Sequence, residues 1–191
     1  MAMTELQQHL RSYMGVTEED LQTLLSFFHL TTLEKGDYFV KAGRICDKMS
    51  FQVSGLMRSF AAYEDKEITQ WICYKETFVT DLWGILYDEP SRYTVQALTW
   101  CECYTIDKKD YLNLAQVIPK WPAMERLLIM HCFRFMETRI FALLSMSGEE
   151  RYRYLQEQNP DLFFSVPLKY LASMMGMTPE SLSRIRNKLT T

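Results

Sequence analysis

The sequence predicts an α+β protein: an N-terminal antiparallel β-roll, a long central helix and a C-terminal pair of short helices. Three observations predict it. From Leu33 to about Ile106 short apolar runs alternate with turn signals. From Trp121 to about Leu144 apolar residues recur at helical spacing on two faces. The stretch LKYLASMMGMTPESLSRIRNKL, residues 168–189, sets a small residue, a glycine and a helix start in close order.

Along the chain, Thr17 followed by Asp20 has the form of a capping box, and Leu21, Leu24, Leu25 and Phe28 recur behind it at helical spacing. An N-terminal helical segment is therefore expected to about His29. The runs YFV, MSFQV, LMRSFAAY, ITQWICY, YTVQAL and CECYTI then follow, separated by EKGD, KAGR, SG, YEDKE and DEPS. That rhythm suits an antiparallel barrel or double-sheet jelly roll, in which glycines such as Gly55 supply the positive φ of tight turns. DLWGIL reads as one short helix interrupting it. Pro119 and Pro122 close this part, so a first unit is expected over residues 1–120.

The long helix, expected from Trp121 to about Leu144 within a unit over residues 121–146, spans about 36 Å at ~1.5 Å per residue. Ile129, Phe133, Met136, Ile140 and Leu143 form one apolar stripe, and Met124, Leu128, Phe135 and Ala142 a second. A helix apolar on two sides must be covered on two sides. The roll covers one; the other is covered by the same helix of a second subunit in a two-fold dimer, or the helix is central within one subunit.

Ser147-Gly-Glu-Glu150 is a further capping box, opening a helix that stops at Asn159-Pro160 and a third unit over residues 147–191. In the segment after it, Ala172 is the small residue where two helices cross, Gly176 the turn, and Leu171, Met175, Met177, Leu182 and Ile185 the buried set of a helix-turn-helix. Thr178 is placed as N-cap acceptor, Pro179 as first helical residue, and Glu180 near the positive end of the dipole. On that second helix Leu182, Ile185 and Leu189 share one side, with Glu180, Arg184 and Asn187 opposite and Ser183 and Lys188 flanking. Arginine bonds guanine O6 and N7 bidentately and glutamate accepts from cytosine N4, so this face is chemically suited to base edges. Arg186, Lys188, Lys169 and the hydroxyls of Thr178 and Ser181 suit phosphates.

Charge agrees. The chain carries a net charge of −3, yet from Val166 onward four cations face Glu180 alone. A basic tip on an acidic body is the electrostatic footprint of a local phosphate contact. The five cysteines, Cys46, Cys73, Cys101, Cys103 and Cys132, are scattered and odd in number; Cys101 and Cys103 fall on one strand face with no second ligand pair nearby, so core packing is expected rather than metal. No basic presequence and no apolar run of about 20 residues appears, which places the chain in the cytoplasm and off the membrane. The three histidines, His9, His29 and His131, sit in no G-x-S-x-G, H-E-x-x-H or phosphate-loop context, so no catalytic residue is expected.

A roll, a long two-faced helix and a terminal helix-turn-helix, in that order, resemble the cyclic-AMP receptor protein / FNR (Crp/Fnr) family of bacterial transcription regulators, from about Leu33 to Leu189. Glu180, Ser183 and Arg184 match the E-x-x-S-R recognition helix of the FNR branch. The resemblance implies a homodimer on double-stranded DNA, a pseudo-palindrome of TTGA-like half-sites with Arg184 on guanine, and RNA polymerase as a further partner. Pro179 stands where some relatives touch DNA, and the β-hairpin wing that follows in relatives is expected to be largely missing after Leu189. In the family's cyclic-nucleotide binders a Gly-Glu pair and an Arg-Ser pair hold the ribose and phosphate. The matching ligand candidates here are Thr80, Asp81 and Leu82 in FVTDLWGIL, with Ser91 and Arg92 in EPSRYTVQA. Thr80 adds a Cβ, Asp81 is shorter than Glu, Ser91 lacks charge and Arg92 lies one position off, on the opposite strand face. The residues thus argue against a cyclic nucleotide and leave an unidentified small effector. The cysteine cluster of FNR proper is missing, so no iron–sulfur cluster is expected. The competing reading of the same features is a small-molecule sensor whose terminal helices dock onto a protein.

Overall fold

The computed structural model describes residues 2–190. Where one N-terminal helical segment was expected there are two helices, α1 (Ala2–Met14) and α2 (Glu18–Leu25), broken at Gly15, whose φ of 64° a helix interior does not accommodate. Thr17 does precede α2, but its hydroxyl donates to the Asp20 carboxylate at 2.8 Å and caps no backbone N–H, so that box does not close. β1 (His29–Leu33) follows directly, four residues earlier than the expected start of the roll.

The six expected apolar runs become β2 (Tyr38–Val40), β3 (Lys48–Ser54), β4 (Met57–Tyr63), β5 (Lys66–Cys73), β7 (Thr94–Ala97) and β8 (Cys101–Asp107). β6 (Thr77–Val79) was not among them. α3 (Leu82–Tyr87) is the short helix, with Asp81 as its N-cap. The strands form two four-stranded antiparallel sheets, ordered β1-β8-β3-β6 and β2-β7-β4-β5. Gly55 joins β3 to β4 at φ 83°, and a Cβ there would lie 2.2 Å from the Trp100 carbonyl oxygen, so no other residue fits this turn.

Phe39, Val40, Met57, Val95, Cys101 and Cys103 fill the space between the sheets. The C-x-C pair thus faces inward as the alternation required, and burial pushes the Cys73 and Cys103 thiols up to about 12. A second cluster lies outside the first sheet. There Leu6, Leu10, Leu21 and Leu24 of the opening helices pack with Met49, Phe51, Tyr111 and Trp121. Tyr111 belongs to α4 (Lys108–Val117), which no sequence signal had marked.

α5 (Trp121–Ser145) is the long helix. Its two stripes part company: Met124, Leu128 and Ala142 are buried against the body, while Ile129, Phe133, Met136, Ile140 and Leu143 lie exposed. Phe135, expected with the buried set, is 44% exposed yet packs edge-on to Trp71 at 4.7 Å. α6 (Gly148–Gln158) opens on a closed capping box, Ser147 accepting from the Glu150 N–H and Glu150 from the Ser147 N–H. α7 (Leu162–Ser165), α8 (Leu168–Met174) and α9 (Pro179–Thr190) follow. Among the described residues no helix is long and apolar enough to cross a membrane.

Candidate nucleic-acid interface and ligand cavity

α8 and α9 meet through a turn that closes on its own backbone. The Met177 N–H donates to the Ala172 carbonyl at 3.0 Å, and the Gly176 N–H to that of Ser173 at 3.0 Å. Gly176 takes φ 66°, and a Cβ there would also touch the Leu143 side chain at 3.4 Å. Leu171, Ala172, Met175 and Leu182 are buried beneath the turn, Met177 and Ile185 half-buried beside them, and Met174 completes the cluster. Thr178 accepts from the Ser181 N–H at 3.2 Å, the cap expected at the start of α9.

The opposite side of α9 faces outward. Glu180, Arg184 and Asn187, the three expected on that face, are exposed, and Ser183, expected at its flank, is half-buried. The Glu180 carboxyl is held below the ordinary carboxylate range by its own backbone N–H, by the Thr178 hydroxyl and by Arg184 one turn on. It is therefore an anion at the helix start at neutral pH. Lys188 is exposed, but its ammonium donates to Glu149 of α6 at 2.8 Å, and Arg153 donates to the same carboxylate at 2.9 Å. These two cations hold the Glu149 carboxyl below its ordinary range. Lys169 is exposed on α8, its ammonium 5.0 Å from the Tyr170 ring centroid. Ser181 is half-buried, its hydroxyl accepting from that of Thr178.

Three polar ties fasten α8 to the rest of the chain. Arg58 of β4 is 3% exposed; its Nε donates to Thr69 at 2.9 Å and its Nη1 to Glu67 at 2.6 Å. The same guanidinium lies 3.9 Å from the Tyr170 ring of α8 and 4.2 Å from Phe60. The Thr69 N–H, on edge strand β5, donates to the Ser173 hydroxyl at 2.8 Å. Arg139 of α5 donates to the Met174 carbonyl at 3.2 Å, at the last turn of α8. None of these three was marked by sequence. Arg58 sits in LMRSFAAY, where one cation in a strand looks like an ordinary solvent-facing residue.

A cavity of about 1060 Å³ opens between the roll, α1 and α5, with His9, Ser59, Gln70, Trp71, His131 and Cys132 among its walls. A smaller one of about 310 Å³ continues toward α6 and α8 and shares with it Trp71, Tyr74, Phe135, Arg139, Gln158 and Asn159. Of the ligand candidates read from sequence only Thr80 lines the large cavity, its hydroxyl donating to the Lys48 carbonyl at 3.1 Å. The others serve the local fold. Asp81 caps α3 through the Trp83 N–H at 3.0 Å, and Leu82 is the first residue of that helix, half-buried. Ser91 is buried and bonded both ways to the Tyr93 backbone, and Arg92 points to solvent. Among the described residues no group of three or more metal-ligating side chains gathers.

Residues 30–117 match the family profile described as cyclic nucleotide-binding domain. No curated protein sequence is significantly similar to the chain. Solved structures share its fold. FixK2 from Bradyrhizobium japonicum superposes with a TM-score of 0.70 at 17% identity, covering 85% of this chain and 84% of the other. The c-di-GMP responsive global regulator CLP from Xanthomonas campestris gives 0.67 at 17%, covering 91% and 92%. The catabolite activator protein of Thermus thermophilus gives 0.59 at 19%, covering 95% and 86%. These likenesses run across the roll, the long helix and the terminal helices alike.

Proposed function

We propose that this chain is a sequence-specific DNA-binding transcription regulator of the Crp/Fnr type. The observation that carries the reading is the outer face of α9, where Glu180, Ser183, Arg184 and Asn187 stand together over a buried apolar side. That set matches base-edge chemistry, and the helix start is where such helices enter the major groove. The names of the neighbours, a global regulator and a catabolite activator among them, support a regulator of this kind rather than an enzyme.

In this reading residues 1–120 are the sensor unit, residues 121–146 the dimerisation helix and residues 147–191 the DNA-binding unit. The exposed stripe of Ile129, Phe133, Met136, Ile140 and Leu143 packs against its own copy. The dimer then sets two α9 helices on TTGA-like half-sites about 34 Å apart. Arg184 reads guanine, Glu180 supports the neighbouring base, and Lys169, Thr178, Ser181, Arg186 and Lys188 hold phosphates. A small effector other than a cyclic nucleotide occupies the cavity beside α5, and RNA polymerase is the partner on the promoter. The site of action is the cytoplasm.

The test is duplex binding by fluorescence anisotropy across a salt series. Affinity for a two-half-site duplex is expected to fall steeply with salt, with a slope of log K of about −0.9 per phosphate neutralised. Moving one half-site by five base pairs, half a helical turn, is expected to abolish the specific component. A flat salt response overturns the reading.

A further inference from the structure

The smaller cavity has a one-sided chemistry. Arg139 and Arg151 both line it, and no aspartate or glutamate does. Among the described residues neither arginine is in an ion pair. Arg139 donates only to a neutral carbonyl, that of Met174, and lies 5.0 Å from the Trp71 ring. Arg151 spends its Nη1 on the Met146 and Leu143 carbonyls that end α5, while its Nε is buried with no hydrogen-bond partner. Two half-buried guanidiniums that face no acid, one of them with a buried Nε–H unspent, are costly to hold, and an anion relieves the cost. Four rings, Trp71, Tyr74, Phe135 and Tyr154, share the lining with aliphatic and neutral polar side chains such as Leu155 and Asn159.

We infer that this cavity is a subsite for a small aromatic monocarboxylate, with Arg139 binding the carboxylate and the rings flanking the planar body. The class follows from the donors. Arg139 presents a guanidinium fork and Arg151, whose Nη1 is held by the carbonyls that end α5, one further N–H, a donor set that matches the two oxygens of a carboxylate better than the three of a phosphate. Four rings among fourteen lining residues favour a flat apolar ligand over a sugar.

The same residue links the subsite to the terminal helices. A charge-assisted bond to a carboxylate displaces a 3.2 Å bond to a neutral carbonyl, so the ligand takes Arg139 from Met174 and removes one of the three ties on α8. This second step rests on the reading of α8 and α9 as the DNA-binding unit; the subsite itself does not.

The experiment is isothermal titration of the full chain with 1-naphthylacetate and with its neutral isostere 1-naphthylacetamide, for the native protein and for Arg139→Gln and Arg139→Lys. The carboxylate is expected to bind at least tenfold more tightly than the amide. Arg139→Gln is expected to erase that preference, and Arg139→Lys to retain part of it. Equal affinity for acid and amide in the native protein, or a preference that survives Arg139→Gln, overturns the inference. Comparing both probes on the native protein keeps the test decisive if a variant folds poorly. Duplex affinity is then measured with and without saturating 1-naphthylacetate. A change of threefold or more in the native protein, and none in Arg139→Gln, is expected; no change overturns the link to α8. Acid selectivity in a protein that never binds duplex would leave the subsite standing and remove the DNA reading.

Discussion

Arg184 and Lys188 stand one turn apart on the same helix and differ in what surrounds them. Arg184 is exposed beside Glu180 at the helix start, whereas Lys188 is tied to Glu149 at 2.8 Å. Arg184→Ala is expected to cost about 1–3 kcal/mol on a specific duplex and to relax preference at one base pair, measured by competition against a library of half-sites. Lys188→Ala is expected to weaken all sequences alike and to reduce the salt slope by about one unit. Because Glu149 holds that lysine, Glu149→Gln is expected to strengthen binding to random duplex at low salt, read by the same anisotropy assay. The pair persists at neutral pH. A carboxylate whose proton affinity is lowered by its cations keeps the tie until pH falls below the ordinary carboxylate range. The residues of this face were legible in sequence, since helical spacing alone groups Glu180, Arg184 and Asn187. The ties were not, since Lys188 with Glu149, Arg58 with Tyr170 and Arg139 with Met174 join residues 35 or more positions apart, and no local pattern encodes them.

At the scale of elements, the α8–α9 turn and the long helix bear the most on the reading. Gly176 is in the left-handed region, where a β-branched side chain strains the backbone, so Gly176→Val is costly at that position. It is expected to destabilise the chain by at least ~1–2 kcal/mol, seen as a lower urea midpoint at unchanged slope. On α5, Ile140→Glu places a charge in the exposed apolar stripe and is expected to convert a dimer to a monomer in sedimentation velocity, with cooperative unfolding retained because the position is 53% exposed. Here the sequence showed that two stripes exist but not which was covered; that depends on where the roll packs. Its elements were legible where an apolar run stood between turn signals. YFV follows EKGD and precedes KAGR, and CECYTI alternates, whereas HLTTL of β1 is more than half polar and TFV of β6 runs on into TDLWGIL with no turn signal between. α4 went unmarked because KKDYLNLAQV buries only Tyr111 and Leu114, too few apolar contacts to set a period.

For the molecule as a whole, the order of parts was written in the sequence, and what they enclose was not. The cavity beside α5 is made by residues from α1, five strands, α5, α6 and α7, each unremarkable where it stands in the chain. Asp81 and Ser91, singled out by position, serve the backbone instead because the segment around α3 closes on itself. The α8 ties have another effect at this scale. Strand β5 is the rim of its sheet, and the Ser173 hydroxyl takes up its Thr69 amide. A detached terminal pair would leave that rim as a bare template, ready to recruit a strand from a neighbouring molecule. The latch on α8 therefore doubles as a guard against fibril growth, and any loosening of it is safest when brief.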